Sequence, residues 1–191
     1  MKKKNKTKDE ILKAAGMLLA QRGYFGVSMR DIAYELDLTK AALYYHFKSK
    51  DELCLNLLSS TANDLTNNLS LAFNEGEDPL DKLFSVIKAY LDFATKRPEA
   101  RLLLNQELAN IEDKNLRDLA QNFENQILKF LGKTISTIEQ TKRWSKRKVF
   151  LVASFILSFV SQQFLIPYQK TFEASKTLLS LIFPTAGEAK T

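Results

Sequence analysis

The sequence predicts an all-α protein of about nine helices, with a three-helix N-terminal head followed by a helical-bundle body. Apolar residues recur at intervals of three and four over most of the chain, which is the period of a helix with one buried face. Only six Gly and four Pro interrupt the 191 residues, too few for the closely spaced turns of a β-sandwich. Serine, threonine or proline stands before most of the apolar segments, where a helix is expected to begin.

Capping signals set the limits of the three predicted head helices. Thr7 begins a capping box, and Gly23 is placed to end the first helix. Ser28 caps a short second helix and Thr39 caps a third, with a tight connection at positions 37–38 between them. The predicted domains are therefore a head over residues 1–50 and a body over residues 51–191.

The body is predicted to continue as successive helices. They are expected to begin near Ser49, Pro79, Pro98, Asp113 and Ser145, and a last helix spans about 171–183. The helix after Ser145 is the most apolar, and we expect it to continue to about residue 165, before Pro167.

The net charge is concentrated in the head. The chain carries 28 Lys and Arg against 22 Asp and Glu. Residues 1–50 hold 11 of the cations and 5 of the carboxylates, so residues 51–191 hold 17 of each. This asymmetry indicates a module that faces a polyanion, joined to a neutral body. A solvated basic tail is the alternative, because five of the cations are lysines within residues 2–8.

The composition argues against catalysis and against a bound metal or cofactor. A single cysteine, Cys54, excludes an internal disulfide and multi-cysteine metal sites. A single histidine, His46, excludes clusters of two histidines. The sequence contains no Gly-rich phosphate loop, and its adjacent carboxylates lie at expected helix starts, where they favour the helix dipole. We therefore expect a protein that is not an enzyme and that uses no cofactor.

The sequence also argues against a membrane protein. The most apolar stretch, residues 149–167, contains three serines and two glutamines and barely reaches the roughly 20 residues that span a bilayer. The basic N-terminus is followed by a polar segment, where a signal peptide would have an apolar one. We expect a cytoplasmic protein in which residues 149–167 form a buried helix.

The second and third helices have the dimensions of a DNA-binding helix-turn-helix. At about 100° per residue, Leu43 and Phe47 define the inward face of the third helix, so Ala41, Ala42 and Tyr45 point outward. Small side chains let a helix approach base edges closely, and tyrosine hydroxyls donate to phosphate oxygens. The alternative is that the aromatic residues of this helix are core or interface residues.

Two stretches of the head resemble the TetR family of bacterial transcriptional regulators. Residues 23–33 read GYFGVSMRDIA, and residues 43–53 read LYYHFKSKDEL, which is close to that family's recognition-helix signature. The resemblance covers about the first quarter of the chain by motif, and the rest only by length and helix count. Together with the residue pattern, it implies a DNA-binding set of Ser28, Arg30, Thr39, Lys40, Ala41, Ala42, Tyr44, Tyr45, His46, Lys48 and Lys50.

Three positions depart from the family pattern. Asp37 stands where the family commonly has a turn glycine, although Asp tolerates a left-handed backbone better than most residues. Ala41 and Ala42 stand where the family often has glycine and a hydroxyl residue. Loss of that hydroxyl removes a base or phosphate contact, so the operator sequence of a relative does not transfer to this chain.

The body is expected to form a homodimer, because one short recognition helix touches too few base pairs for specific binding. The predicted dimer interface lies on the last two helices and comprises Val149, Val152, Ile156, Phe159, Val160, Leu178, Leu179 and Ile182. The resemblance also implies a ligand-binding body. The predicted pocket for a largely hydrophobic small molecule comprises Phe84, Tyr90, Phe93, Asn105, Phe123, Gln126, Phe130, Phe150, Phe155 and Gln162.

These inferences predict a ligand-responsive transcriptional repressor that binds a pseudo-palindromic double-stranded DNA operator as a homodimer. Its small-molecule effector is expected to release it from the DNA. The alternative is a helical protein-interaction or membrane-surface module that lacks sequence-specific DNA binding.

Overall fold

The computed structural model describes residues 6–104, 106–138 and 141–162, together with positions 173, 176, 177, 179, 180, 182 and 183; for 106 and 159–162 it describes the backbone alone. Within this part of the chain there are seven α-helices and two 3₁₀ helices, in agreement with the predicted all-α class. The α-helices are α1 (Lys8–Arg22), α2 (Met29–Glu35), α3 (Lys40–His46), α4 (Lys50–Glu75), α5 (Pro79–Lys96), α6 (Lys114–Thr137) and α7 (Lys146–Gln162). The 3₁₀ helices span Pro98–Leu104 and Gln106–Asn110. None of the helices described is long and apolar enough to cross a membrane.

The head helices begin and end where the capping signals predicted. The Thr7 hydroxyl accepts the Glu10 N–H at 3.2 Å, and the Glu10 carboxylate accepts the Thr7 N–H at 2.8 Å. Gly23 ends α1 with a φ of 70°, a left-handed conformation that suits glycine because it lacks a Cβ. Ser28 and Thr39 cap α2 and α3, as expected.

Asp37 adopts the left-handed backbone that its place in the family pattern predicted. Its φ is 53°, the one positive φ of a non-glycine residue in the described part of the chain. The next residue, Leu38, donates its N–H to the Ala33 carbonyl at 2.9 Å, which closes the turn between α2 and α3. The turn therefore fixes the direction of α3 relative to α2.

The segment after Pro98 differs from the predicted α-helix. It forms two short 3₁₀ helices, and Ala100 donates its N–H to the Arg97 carbonyl three residues back, at 3.0 Å. A short apolar pattern does not distinguish three-residue turns from longer ones. The predicted end of the helix after Ser145 lies outside the described residues. Six described positions of the predicted last helix are helical.

The chain divides into two compact units. Unit 1 comprises Met1–Asp64 and Lys96–Phe123, and unit 2 comprises Leu65–Thr95 and Glu124–Thr191. The fully buried side chains of unit 1 include those of Ile11, Leu19, Ile32, Leu43, Phe47, Leu53 and Leu58. The buried side chains of unit 2 include those of Leu83, Ile87, Leu131, Ile135 and Ile156. The functional boundary predicted at residue 50 falls at the start of α4 within unit 1, and it remains a prediction.

Candidate nucleic-acid interface

Helix α3 buries one face and exposes the other, as its periodicity predicted. Leu43 and Phe47 have no exposed surface and anchor the helix to the core of unit 1. Tyr45 is 86% exposed, Ala41 is exposed and Ala42 is half-buried. The outer face of α3 therefore combines small side chains with a tyrosine that projects into solvent.

The polar side chains of α3 are arranged around its exposed rings. The ammonium of Lys40 lies 5.7 Å from the ring centroid of Tyr44, which is 40% exposed. The rings of Tyr45 and His46 meet edge to face, with centroids 5.3 Å apart. The Thr39 hydroxyl oxygen accepts a backbone N–H of the first turn at 3.2 Å and keeps its own proton to donate.

The hydroxyl of Ser28, a member of the predicted DNA-binding set, is already used in capping α2. Ser28 accepts the Asp31 N–H at 3.2 Å and donates its hydroxyl proton to the Asp31 carboxylate at 2.5 Å. That hydroxyl, followed by the Ser28 backbone N–H, holds the pKa of Asp31 below its ordinary value. A phosphate contact by the Ser28 hydroxyl would therefore require this cap to rearrange, whereas the neighbouring Arg30 is exposed.

Sequence reasoning missed Tyr34, which is 87% exposed on α2. Tyr34 follows Arg30 by four residues, so the two side chains share the outer face of the helix. The sequence pattern could have indicated this. Met29, Ile32 and Ala33 form the buried face of α2, so the helical period places position 34 on the exposed face.

Lys48 and Lys50, two residues apart, have different surroundings. Lys48 is exposed, and its backbone N–H, rather than its ammonium, donates to Glu52 at 2.7 Å. The Lys50 ammonium donates to the backbone carbonyls of Tyr24 at 2.9 Å and Val27 at 3.1 Å. It also lies 3.8 Å from the Tyr24 ring centroid. Lys50, predicted to face DNA, is thus engaged inside unit 1.

The loop between α1 and α2 is held by side chains from two further elements. The Tyr24 hydroxyl donates to the carboxylate of Asp51 in the first turn of α4. Burial, followed by this hydrogen bond, raises the pKa of Tyr24 above its ordinary value. From the second 3₁₀ helix, Glu107 accepts the Phe25 N–H at 3.1 Å. A Cβ at Gly23 would lie 2.7 Å from that carboxylate, and the φ of 70° at this position disfavours any residue other than glycine.

A second carboxylate, Glu99 of the first 3₁₀ helix, is buried beside α1. The Arg97 guanidinium donates to it at 2.5 Å and also donates to the hydroxyl of Thr61 and the carboxylate of Asp64, both on α4. Burial acts to lower the pKa of Arg97, but the hydrogen bonds and charges of Glu99 and Asp64 hold it above its ordinary value. A Cβ at Gly16 would lie 3.3 Å from Glu99, so α1 approaches this cluster closely.

The predicted ligand-binding residues have mixed surroundings. Tyr90 and Phe123 are buried, Phe84, Phe93 and Phe130 are half-buried, and Gln126, Phe150 and Phe155 are exposed. Asn105 and the side chain of Gln162 lie outside the described residues. The exposed members of the set lie on the surface of unit 2 rather than in an interior pocket.

The described members of the predicted dimer interface, on α7 and in the predicted last helix, are buried or half-buried. Val149, Ile156 and Leu179 are buried, and Val152 and Ile182 are half-buried. The side chains of Phe159, Val160 and Leu178 lie outside the described residues. Among the described side chains of α7, the large apolar ones that are exposed are instead Phe150, Leu151 and Phe155, which are 55%, 59% and 55% exposed. The helix is apolar around most of its circumference, so the sequence did not indicate which apolar side faces solvent.

A groove of about 720 Å³ lies between α6 and α7 in unit 2. Its lining includes one predicted ligand residue, Phe150, and one predicted dimer residue, Val149. The rest of the lining is Asn125, Leu128, Lys129, Gly132, Lys133, Ser136, Thr137, Trp144 and Lys146.

The one thiol of the chain lacks the character of a nucleophile. Cys54 is fully buried, and this burial raises its pKa to about 12. Among the residues that the structure describes, no group of three His, Cys, Asp or Glu side chains is placed to hold a metal ion.

Comparisons with known proteins agree with this geometry. Residues 11–57, from α1 into α4, match the family model described as bacterial regulatory proteins, tetR family. The biofilm operon negative transcriptional regulator IcaR of Staphylococcus aureus is 26% identical over 166 residues, which cover 82% of this chain and 87% of that protein. The nucleoid occlusion factor SlmA of Vibrio cholerae is 27% identical over 157 residues, covering 82% of this chain and 78% of that protein.

Solved structures show the same fold. AibR in complex with isovaleryl coenzyme A and operator DNA superposes with a TM-score of 0.77 at 20% identity, over 93% of this chain and 98% of that one. The TetR-family regulator PfmR from Thermus thermophilus gives a TM-score of 0.73 at 23% identity, over 91% and 97% of the two chains. IcaR and PfmR are transcriptional regulators, which agrees with the prediction that the chain is not an enzyme. The head therefore matches the TetR family model, as its motifs predicted, and the chain as a whole has the fold of TetR-family structures.

Proposed function

We propose that this chain is a transcriptional repressor that binds a pseudo-palindromic operator as a homodimer and leaves it when a small molecule binds the body. The exposed face of α3 carries the proposal. Tyr45 projects into solvent beside Ala41, while Leu43 and Phe47 hold the helix from below. The major groove of B-DNA admits an α-helix, and small side chains permit the close approach that base readout requires.

Exposed cations around α3 supply the phosphate contacts that position such a helix. Lys40 is the first residue of α3 and Lys48 follows its end, and Arg30 lies on the exposed face of α2 beside Tyr34. Contacts of this kind fix the register of the protein on DNA without reading its sequence. We therefore propose that these cations orient the protein on DNA and that the outer face of α3 contacts the bases.

Repression and release by a ligand are supported by the relatives. IcaR is a negative transcriptional regulator, and AibR was solved with both isovaleryl coenzyme A and operator DNA. In this chain α4 is continuous from Lys50 to Glu75, so it begins at the end of the predicted head and continues into the body. A ligand that prefers the body conformation in which two heads are wrongly spaced lowers DNA affinity by the size of that preference.

The homodimer is supported by the exposed apolar side of α7. Leu151 and Phe155 are separated by four residues and therefore share one face of the helix. Sedimentation at micromolar protein should show a dimer, and Leu151→Glu should shift it toward monomer. The matched control is Leu71→Glu on α4, where the native leucine is 65% exposed. A wild-type monomer, or an equal shift in both variants, would remove the homodimer from the proposal.

Selection of bound duplexes from a random DNA pool tests the proposed function. We expect enrichment of two inverted half-sites whose centres are about one helical repeat apart or a multiple of it. Tyr45→Ala should enrich these duplexes more weakly while its far-ultraviolet circular dichroism stays helical. Recovery of unrelated sequences by the wild type, or undiminished enrichment by Tyr45→Ala, would contradict the assignment of α3 as the reading helix.

A further inference from the structure

A second cationic surface lies on the body, where the overall charge balance is neutral. Residues 129–148 hold seven Lys and Arg against one glutamate. All seven side chains are exposed, and they lie on α6, on α7 and in the segment between these helices. These residues of α6 and α7 belong to unit 2, whereas the cations of the head belong to unit 1.

The groove between α6 and α7 combines part of this charge with apolar walls. Three of the exposed lysines, Lys129, Lys133 and Lys146, line it. Trp144 and Phe150 contribute ring surface to the same lining. Its volume of about 720 Å³ lies within the usual range of about 300–1,000 Å³ for small-molecule sites.

The Trp144 ring is held in place by its neighbours. It stacks on the buried ring of Phe183, with centroids 5.9 Å apart and an interplanar angle of 19°. The ammonium of Lys148 lies 4.0 Å from the Trp144 ring centroid. The aromatic wall is therefore preorganised, which lowers the entropy cost of binding a ligand against it.

Hydrogen bonding in the groove favours a ligand that accepts hydrogen bonds. The hydroxyls of Ser136 and Thr137 donate to backbone carbonyls of their own helix at 2.8 Å and 2.7 Å. Lysine ammoniums only donate hydrogen bonds. The side-chain donors that these walls offer to a ligand therefore include three ammoniums, and the partner that matches them is an anionic oxygen.

The charge of the groove also selects for an anion. Among the residues that the structure describes, its lining includes no Asp or Glu, and no carboxylate lies within 4.0 Å of the three ammoniums. Lys129 and Lys133 are four residues apart on α6, where like charges repel each other. An anionic head group bound between them would relieve this repulsion, whereas a cation would increase it.

We propose that the α6–α7 groove binds an amphipathic organic anion. A carboxylate or phosphate lies among Lys129, Lys133 and Lys146, and an acyl or aromatic tail packs on Trp144 and Phe150. The site takes a single soluble molecule, since it is a groove rather than a flat surface. If the proposed repressor function holds, the inference deepens it by naming the chemical class of the effector.

Trp144 provides a direct readout, because it is the one tryptophan of the chain. We would titrate the full chain with decanoate and follow tryptophan fluorescence. Decanol and decyltrimethylammonium, which have the same alkyl chain, serve as neutral and cationic probes. Decanoate should give a saturable change at concentrations where the cationic probe gives none. A response that does not saturate, or an equal response to decyltrimethylammonium, would overturn the proposal.

Two neighbouring substitutions separate the groove from the general charge of this surface. Lys146→Gln removes a lining ammonium, and Arg147→Gln removes an exposed cation that does not line the groove. Lys146→Gln should weaken decanoate binding about threefold to tenfold. Arg147→Gln should leave binding within twofold, and decanol binding should be the same in both variants. Equal weakening by the two substitutions would show diffuse attraction and would overturn the site.

Two further measurements exclude other polyanions and separate this proposal from that of repressor function. Displacement of bound decanoate by phosphatidylglycerol vesicles would indicate a membrane-binding surface, and displacement by duplex DNA would indicate a nucleic-acid-binding surface. Either result would overturn the groove proposal. If the protein binds decanoate saturably but enriches no duplex, the groove proposal is supported and the proposed repressor function is contradicted. If the protein enriches an operator but does not bind decanoate, the repressor function is supported and the groove proposal is contradicted.

Discussion

Lys48 and Lys50 are expected to respond differently to the same substitution, although both belong to the predicted DNA-binding set. Lys48→Met removes an exposed ammonium for which the described structure shows no carboxylate within 4.0 Å. Lys50→Met removes an ammonium that donates to the carbonyls of Tyr24 and Val27. The first substitution should affect DNA binding, and the second should affect the stability of the head.

The magnitudes follow from these surroundings. Each phosphate contact adds about 0.9 to the slope of log affinity against log salt, so Lys48→Met should flatten the slope by about 0.9 per head. Between 50 and 200 mM salt this equals about a 3.5-fold smaller loss of affinity per head. Lys50→Met should lower the free energy of unfolding by about 2 kcal/mol. That figure combines two charged hydrogen bonds, discounted for partial exposure, with the ammonium–ring contact at 3.8 Å.

Urea unfolding and DNA titrations at several salt concentrations measure both effects in the same preparations. Lys48→Met should unfold at the wild-type urea concentration and show the flatter salt dependence. Lys50→Met should unfold at a lower urea concentration than the wild type. At temperatures where it is fully folded, it should keep the wild-type slope of log affinity against log salt. A stable Lys50→Met variant with a flattened slope would show that Lys50 leaves the two carbonyls for a phosphate, and it would refute the reasoning.

Three further substitutions test the head and the buried cluster. Tyr45→Ala should weaken operator binding about tenfold with unchanged helical content, as measured by duplex titration and circular dichroism, because the ring is exposed and supports no core; unchanged affinity would contradict the assignment. Asp37→Ala should lower the free energy of unfolding in urea by about 1 kcal/mol because alanine tolerates the φ of 53° poorly. Asp37→Gly should stay within about 0.5 kcal/mol, since relief of strain is offset by the entropy of glycine; equal losses in both would implicate the Asp side chain instead. Arg97→Met should cost about 2–3 kcal/mol of unfolding free energy because it leaves the Glu99 carboxylate buried. Asp64→Asn, which alters an exposed pair with the same arginine, should cost less than about 1 kcal/mol; equal costs would show that burial of Glu99 is not decisive.

The features predicted correctly are those set by residues three or four positions apart. The caps at Thr7, Ser28 and Thr39 depend on a side chain and an N–H within one turn, so sequence spacing alone specifies them. The inward face of α3 follows likewise from Leu43 and Phe47. Local geometry was sufficient for the predicted fold of the helix-turn-helix.

The features missed depend on contacts between distant segments. The partners of the Lys50 ammonium are carbonyls 23 and 26 residues earlier, and no spacing rule connects them. The same holds for Glu107, which reaches the N–H of Phe25 82 residues away. The position of a lysine near a helix-turn-helix therefore does not suffice to predict a phosphate contact, because the fold can bring backbone carbonyls within reach of its ammonium.

The orientation of α7 was undetermined for a different reason. Its apolar residues occupy more than one face, so periodicity allows either side to be buried. The structure buries Val149 and Ile156 and exposes Leu151 and Phe155.

Charge totals concealed the second cationic surface, because 17 cations and 17 carboxylates over residues 51–191 average to zero. The two cationic surfaces differ in shape, and shape decides what each can bind. The head presents a convex helix with Tyr45 exposed, which fits a groove in DNA. The body presents a concave site beside Trp144, which fits a molecule that enters it. Added salt should weaken both interactions, but duplex DNA should compete for the head alone, so competition rather than salt dependence distinguishes the two sites.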